Sequence, residues 1–150
     1  MRDTETGDRL ARAEALAMAA HKGQVDKLGV DYIEHVRAVA RAVAHLDGDH
    51  QIVALLHDSI EDCPDRDVVS DPIIRAGFGD VVADAVDAMT RRAGEDYFAD
   101  YLPRLLANPI AVQVKRADLA HNRSRLHLLD AETGARLAAK YEKVARILGD

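Results

Sequence analysis

The chain has 150 residues, enough for one domain to bury a core without disulfides, and its lone cysteine, Cys63, has no partner for an internal bridge. A set of 20 Lys and Arg against 26 Asp and Glu leaves a net charge of −6, which argues against nucleic acid or an anionic membrane as a partner. No apolar stretch reaches the length of a signal core or a membrane span, so the expectation is a single cytoplasmic domain over residues 1–150, meeting any phosphate-bearing ligand with local cations or a metal.

Apolar residues recur at helical spacing almost everywhere and no segment alternates as a strand would, so the fold should be all-α, with about six to eight helices. A first helix is expected from about Thr4 to Lys22, with Leu10, Ala13, Ala17 and Ala20 on one stripe and Gly23 as its stop. After a loop to about Asp31, a second carries Tyr32, Val36, Val39, Val43 and Leu46 and ends at Asp47-Gly48-Asp49. Asp49 is placed to cap a third, from Gln51 to about Asp62, whose apolar run through Ile52, Leu55 and Leu56 marks a central, buried element stopped by Pro64. Cys63, at its end, reads as a small buried hydrophobe.

Asp71-Pro72 reads as a cap followed by proline at the first helical position, opening a short helix that Gly77 and Gly79 close. A longer helix follows with Val82, Val86 and Met89, and the segment from about Glu95 to Ala107 stacks Tyr97, Tyr101 and Leu105. Asn108-Pro109 repeats the cap-and-proline signal before a stripe of Ile110, Val114, Ala117 and His121. Finally Asp130 caps a helix with Leu137, Tyr141, Val144 and Leu148, terminated by Gly149.

The chemistry is concentrated at the end of the central helix, where His57-Asp58-Ser59-Ile60-Glu61-Asp62 follows directly on the buried run. Burying several ionisable groups costs many kcal/mol unless they are partnered, and a cation is an economical partner; a solvated, capped last turn is the alternative. His35, next to Val36 and one turn before Val39, faces inward, and Asp118 lies one turn after Val114 with Asn122 a turn beyond. A mixed His/Asp set suits Mn²⁺, Fe²⁺ or Mg²⁺ better than a structural zinc site.

These words, in this order, resemble a known family. His21-Lys22-Gly23-Gln24, Tyr32-Ile33-Glu34-His35, Ala54 through Asp62, Phe78-Gly79-Asp80 and Val114 through Asn122 are similar to the HD hydrolase domain of RelA/SpoT-type alarmone enzymes and their small single-domain relatives, over about residues 8 to 145. The resemblance implies a compact HD-domain helical bundle. It further implies a manganese ion on His35, His57, Asp58 and Asp118, with Glu61 and Asp62 serving the hydrolytic water, and removal of pyrophosphate from the 3′ position of ppGpp. Lys115 and Asn122 would line the nucleotide side, with Lys27 on the loop beside them. His21 would pack or hydrogen-bond near the pocket.

Departures bear on the substrate. Asp26 and Leu28 stand where the family commonly has arginine, used against the guanine base, and serine; Val36 stands where proline is usual. Exchanging a cation that stacks on a base for an anion predicts weaker handling of guanine alarmones. Arg91, Arg92, Arg116, Arg123 and Arg125 are further candidates to receive phosphates. The expected activity is therefore a metal-dependent phosphohydrolase of the (p)ppGpp 3′-pyrophosphohydrolase kind, acting on a small phosphorylated nucleotide. The alternatives are another phosphorylated metabolite, a non-catalytic metal- or nucleotide-binding regulatory module, and an interaction scaffold with an acidic solvated face. Glu61 and Asp62, useful for catalysis and needless for binding, weigh against the module. Assembly into a homo-oligomer is left open.

Overall fold

The computed structural model describes residues 2–149, and side chains from 4 to 149. Among the described residues it contains nine α-helical segments, a π-helical turn and a 3₁₀ turn, with a single β-bridge, Val25 to Asp31, pinching the loop after the first helix. The segments are α1 (Arg2–Ala20), α2 (Tyr32–Ala42), α3 (Gly48–Leu56), α4 (Ser59–Asp62), α5 (Asp71–Phe78), α6 (Asp80–Met89), α7 (Leu102–Leu106), α8 (Pro109–Ser124) and α9 (Ala131–Leu148). Among the described residues no helix is long and apolar enough to cross a membrane.

The all-α expectation holds, and α3 is central: it packs against α1, α2, α6 and α8. That is why Ile52, Val53, Ala54, Leu55 and Leu56 are all buried, where an amphipathic helix would expose one side. Asn108 and Asp130 cap α8 and α9 through their side chains, and Gly149 closes α9 at φ 86°, a left-handed conformation that glycine adopts without steric cost.

Several boundaries move. The second helix stops at Ala42, and 43–46 tighten into turns in which Val43, Ala44 and Leu46 donate to carbonyls three residues back. This frees Asp47 to cap α3, accepting from His50 N, so the cap is Asp47 in place of Asp49. Ser70 likewise caps α5 in place of Asp71, leaving Pro72 inside the first turn, where its missing N–H costs nothing. The helix expected to run unbroken to Asp62 divides at His57 and Asp58 into α3 and α4. Side chains take over two carbonyls at the break: His57 Nδ1–H donates to Ala54 O at 2.6 Å, and Ser59 Oγ–H to Leu56 O at 2.7 Å.

Candidate metal centre

The break has a chemical consequence. It leaves His57 at the end of α3 and Asp58 at the start of α4, facing His35 from α2 and Asp118 from α8. One ligand-competent atom from each of the four lies within 4.8 Å of the others, a grouping that could hold a metal ion. His35 Nε2 is 2.8 Å from Asp118 Oδ1, and His57 Nε2 is 3.1 Å from Asp58 Oδ2 and 3.5 Å from Asp118 Oδ1.

The donor set fits a divalent cation. Each histidine has its Nδ1 engaged away from the centre, His57 with the Ala54 carbonyl and His35 in a 2.7 Å hydrogen bond with His121 Nδ1. Tying one ring nitrogen fixes the tautomer and turns the other toward a metal. His57 Nε2 is buried without a properly oriented hydrogen-bond partner although two carboxylates lie within reach. Such an orphan next to anions is explained by a cation between them.

The charges of the cluster depend strongly on one another. Burial opposes charge on all three groups, but the neighbouring charges prevail. Asp58 and Asp118 raise His57 above its ordinary value, while His57 lowers Asp58, and Lys115, His35 and His57 hold Asp118 well below the usual carboxylate range. Lys115 Nζ sits 3.3 Å from Asp118 Oδ2, and that carboxylate outweighs the desolvation that would otherwise strip its proton. Tyr32 donates its hydroxyl to Asp58 Oδ2, and burial beside that anion pushes the phenol far up, so it stays a donor.

Glu61 and Asp62 lie on α4, one turn past Asp58. Glu61 accepts from the backbone N–H of Arg91, and Asp62 accepts from Gln24 Nε2 at 3.1 Å. Gln24 Oε1 is in turn 2.8 Å from Nδ1 of the buried His21. Partial desolvation, aided by the Asp58 charge, raises both carboxyls above their ordinary range against the pull of Arg91 N–H and Gln24. A carboxylate whose charge is disfavoured in this way is a better acceptor for a proton from water.

A cavity of about 350 Å³ opens beside the centre, lined by Gln24, Asp26, Lys27, Leu28, Tyr32, Asn122, Arg125, Leu126, Leu129, Leu137 and Tyr141. Neither this cavity nor a larger groove of about 530 Å³ between α1, α2 and α3 is lined by the four clustered residues, but Tyr32 and Asn122 of the smaller one bond to Asp58 and Asp118, whereas among the described residues no side chain lining the groove bonds to any of the four. Asn122 Nδ2 donates weakly to Asp118 Oδ1 at 3.4 Å, Lys27 stands exposed on the rim, and Lys115 is engaged by Asp118 under the rings of Tyr97 and Tyr101, each 5.8 Å away.

Asp26 is not the bare anion that the sequence suggests. Its Oδ2 accepts from Arg125 Nη2 at 2.7 Å and its Oδ1 from Leu28 N and Val30 N; although burial opposes it, these bonds hold it below the usual carboxylate range. Of the other candidate arginines, Arg92 pairs with Asp87 and Arg116 donates to Leu148 O. Sequence reasoning missed Tyr32 and Gln24 as hydrogen-bonding neighbours of the carboxylates, and it missed Lys140 and Arg136 on α9. Lys140 Nζ lies 4.4 Å from the centre of the Tyr97 ring, and its pKa is lowered by burial and then by the positive charges of Lys115, Arg91, Arg136 and Lys27. Only Tyr32 and Gln24 carried a signal, as members of the motif words.

A family model described as HD domain matches residues 13–117, stopping just short of Asp118. Among curated proteins, guanosine-3′,5′-bis(diphosphate) 3′-pyrophosphohydrolase of Haemophilus influenzae is 33% identical over 135 residues, 82% of this chain and 19% of that protein. GTP pyrophosphokinase of Streptomyces coelicolor is 32% identical over 96% of this chain and 17% of its own length, and the bifunctional (p)ppGpp synthase/hydrolase SpoT of Escherichia coli is 29% identical over 94% and 22%. The chain thus spans about a fifth of the relatives it matches. Among solved structures, a metazoan SpoT orthologue, described as hydrolysing ppGpp, superposes with a TM-score of 0.80 at 21% identity, covering 93% of this chain and 85% of that one. The likeness is one of fold.

Proposed function

We propose, for a chain that belongs to the HD-domain family, that it is a metal-dependent phosphohydrolase removing pyrophosphate from the 3′ position of ppGpp-like nucleotides. The observation that carries this reading is the clustering of His35, His57, Asp58 and Asp118 with their ligand atoms within 4.8 Å, beside the Glu61 and Asp62 carboxylates and a cavity whose lining includes Lys27 and Arg125. The named relatives in Haemophilus influenzae and Escherichia coli support the substrate class.

His35 and His57 through Nε2, with Asp58 and Asp118, would hold the divalent ion, manganese being the choice that the resemblance favours. When bound, such an ion lowers the pKa of water toward neutrality and neutralises charge on phosphoryl oxygens. The protein's own part begins with fixing the ligands: His121 and the Ala54 carbonyl set the two imidazoles, and Tyr32, Lys115 and Asn122 set the carboxylates. Glu61 or Asp62 accepts the proton of the attacking water, Gln24 orienting the latter carboxylate. Lys115, held beside Asp118, and Lys27, on the rim of the cavity, would bring positive charge near the phosphates, lowering the repulsion between anionic substrate and anionic base.

The test is pyrophosphate release from ppGpp by the purified protein with Mn²⁺ added, run beside GTP and NADPH. Stoichiometric pyrophosphate from ppGpp is the expected result. Release from another phosphoester alone would transfer the same chemistry to another substrate, and no release from any would reduce the centre to a binding site.

A further inference from the structure

The cavity beside the metal centre has an unusual cation. Arg125, at the C-cap of α8, reaches back to Asp26, 99 positions earlier, and its side chain is 23% exposed while that of Asp26 is 14% exposed. Both oxygens of Asp26 are committed, one to Arg125 and the other to two loop amides, so the carboxylate is a fixed post and the guanidinium is held against it. A charge pair this well enclosed gains little stability by itself, because desolvation offsets most of its attraction. What it does supply is a guanidinium of set orientation in the wall of a cavity whose apolar lining is mainly the Tyr32 and Tyr141 rings and four leucines, and whose polar lining includes Gln24, Lys27 and Asn122. A slot with aromatic and aliphatic walls and a fixed planar fork of donors is shaped for a flat heterocycle that carries acceptors on its edge.

The cavity also adjoins the reacting end. Three of its lining residues bond to the site carboxylates: Tyr32 to Asp58, Asn122 to Asp118 and Gln24 to Asp62. The slot is thus the nearest described cavity into which a molecule with its phosphate at the centre could extend its other end.

We propose that Arg125, positioned by Asp26, is the residue that selects the base, favouring a 6-oxopurine over a 6-aminopurine. A guanidinium pairs with the O6 and N7 acceptors of guanine, whereas adenine presents an amino donor at the same edge. The proposal rests on the nucleotide reading of the cavity, and its test is kept separate from turnover. Binding of GDP and of ADP is measured by calorimetry with Mn²⁺ present, in the wild type, Arg125→Gln and Arg125→Lys. Glutamine can still donate to Asp26 and so preserve the loop; lysine keeps the charge and loses the fork.

The wild type should bind GDP about tenfold more tightly than ADP, the value of one good bidentate contact. Arg125→Gln should weaken GDP about tenfold and leave ADP unchanged, and Arg125→Lys should lose most of the preference. Helicity by circular dichroism monitors folding; should the glutamine variant lose it, the lysine variant decides. Equal binding of GDP and ADP by the wild type overturns the proposal. So does a loss that falls equally on both nucleotides in the variants, which would make Arg125 a strut or a phosphate contact. A GDP preference without pyrophosphate release from ppGpp would leave this inference standing while the catalytic reading falls, and release without a preference would do the reverse.

Discussion

Replacing His57 with alanine should uncouple the protein from its metal, and the two parts of the effect can be separated by melting with and without Mn²⁺. The imidazole is 2% exposed, and its Nε2 lies 3.1 Å from Asp58 and 3.5 Å from Asp118. Without it, two carboxylates held below their ordinary range lose a neighbour that offsets their charge, as when one partner of a buried pair is removed, a cost of about 3–5 kcal/mol. For a chain of this size that is a fall of about 10 °C in the metal-free protein. The second part is the gain on adding the ion. At about one hundred times its Kd, Mn²⁺ stabilises the wild type by about 2.7 kcal/mol, or about 8 °C. With one of four ligands gone and affinity down by about a thousandfold, the same concentration should raise the melting temperature by less than about 1 °C. Differential scanning calorimetry in EDTA and in Mn²⁺, with metal content measured on the same samples, gives both numbers. An unchanged Mn²⁺-dependent rise in His57→Ala would refute the assignment of His57 as a ligand, whatever happened to the metal-free protein.

Asp118→Asn should likewise lose the ion, and because Lys115 would be left with a neutral neighbour at the 3.3 Å contact it should cost about 3 kcal/mol in urea unfolding. Tyr32→Phe removes the hydroxyl that donates to Asp58 and should weaken Mn²⁺ binding by about tenfold or more while the fold persists, which metal titration would show. Glu61→Gln and Asp62→Asn should keep the metal, and whichever carboxylate is the base should lose most of its turnover of ppGpp; wild-type rates in both variants would rule out a carboxylate base here. Since desolvation raises both carboxyls, and the base must be ionised, activity should be present above the raised pKa and be lost as pH falls through it. The acidic limb of kcat/KM is then expected to lie above the pKa of an unperturbed carboxylate, and a limb below it would contradict the desolvation argument.

Much of the architecture was legible because it is local. Helical spacing, the caps Asn108 and Asp130 and the stop at Gly149 depend on residues within a turn or two of one another, and each appears in the structure where periodicity and capping chemistry put it. The candidate ligands were suggested in sequence for a related reason: a histidine and carboxylates directly after a buried run are costly without partners, and a cation is one economical partner, a solvated last turn being the other reading. Tertiary structure decided what the central helix does at His57, where local periodicity favours continuation and the break becomes favourable because His57 and Ser59 side chains satisfy the freed carbonyls. It also decided the partners. His121 is 86 positions from His35, Gln24 is 38 from Asp62, and Arg125 is 99 from Asp26. Pairings of that separation leave no periodic trace in the chain, because they depend on how α2, α8 and the loop before α2 are packed around α3. For the same reason an aspartate that reads in sequence as a repulsive anion becomes, once folded, the anchor of a guanidinium.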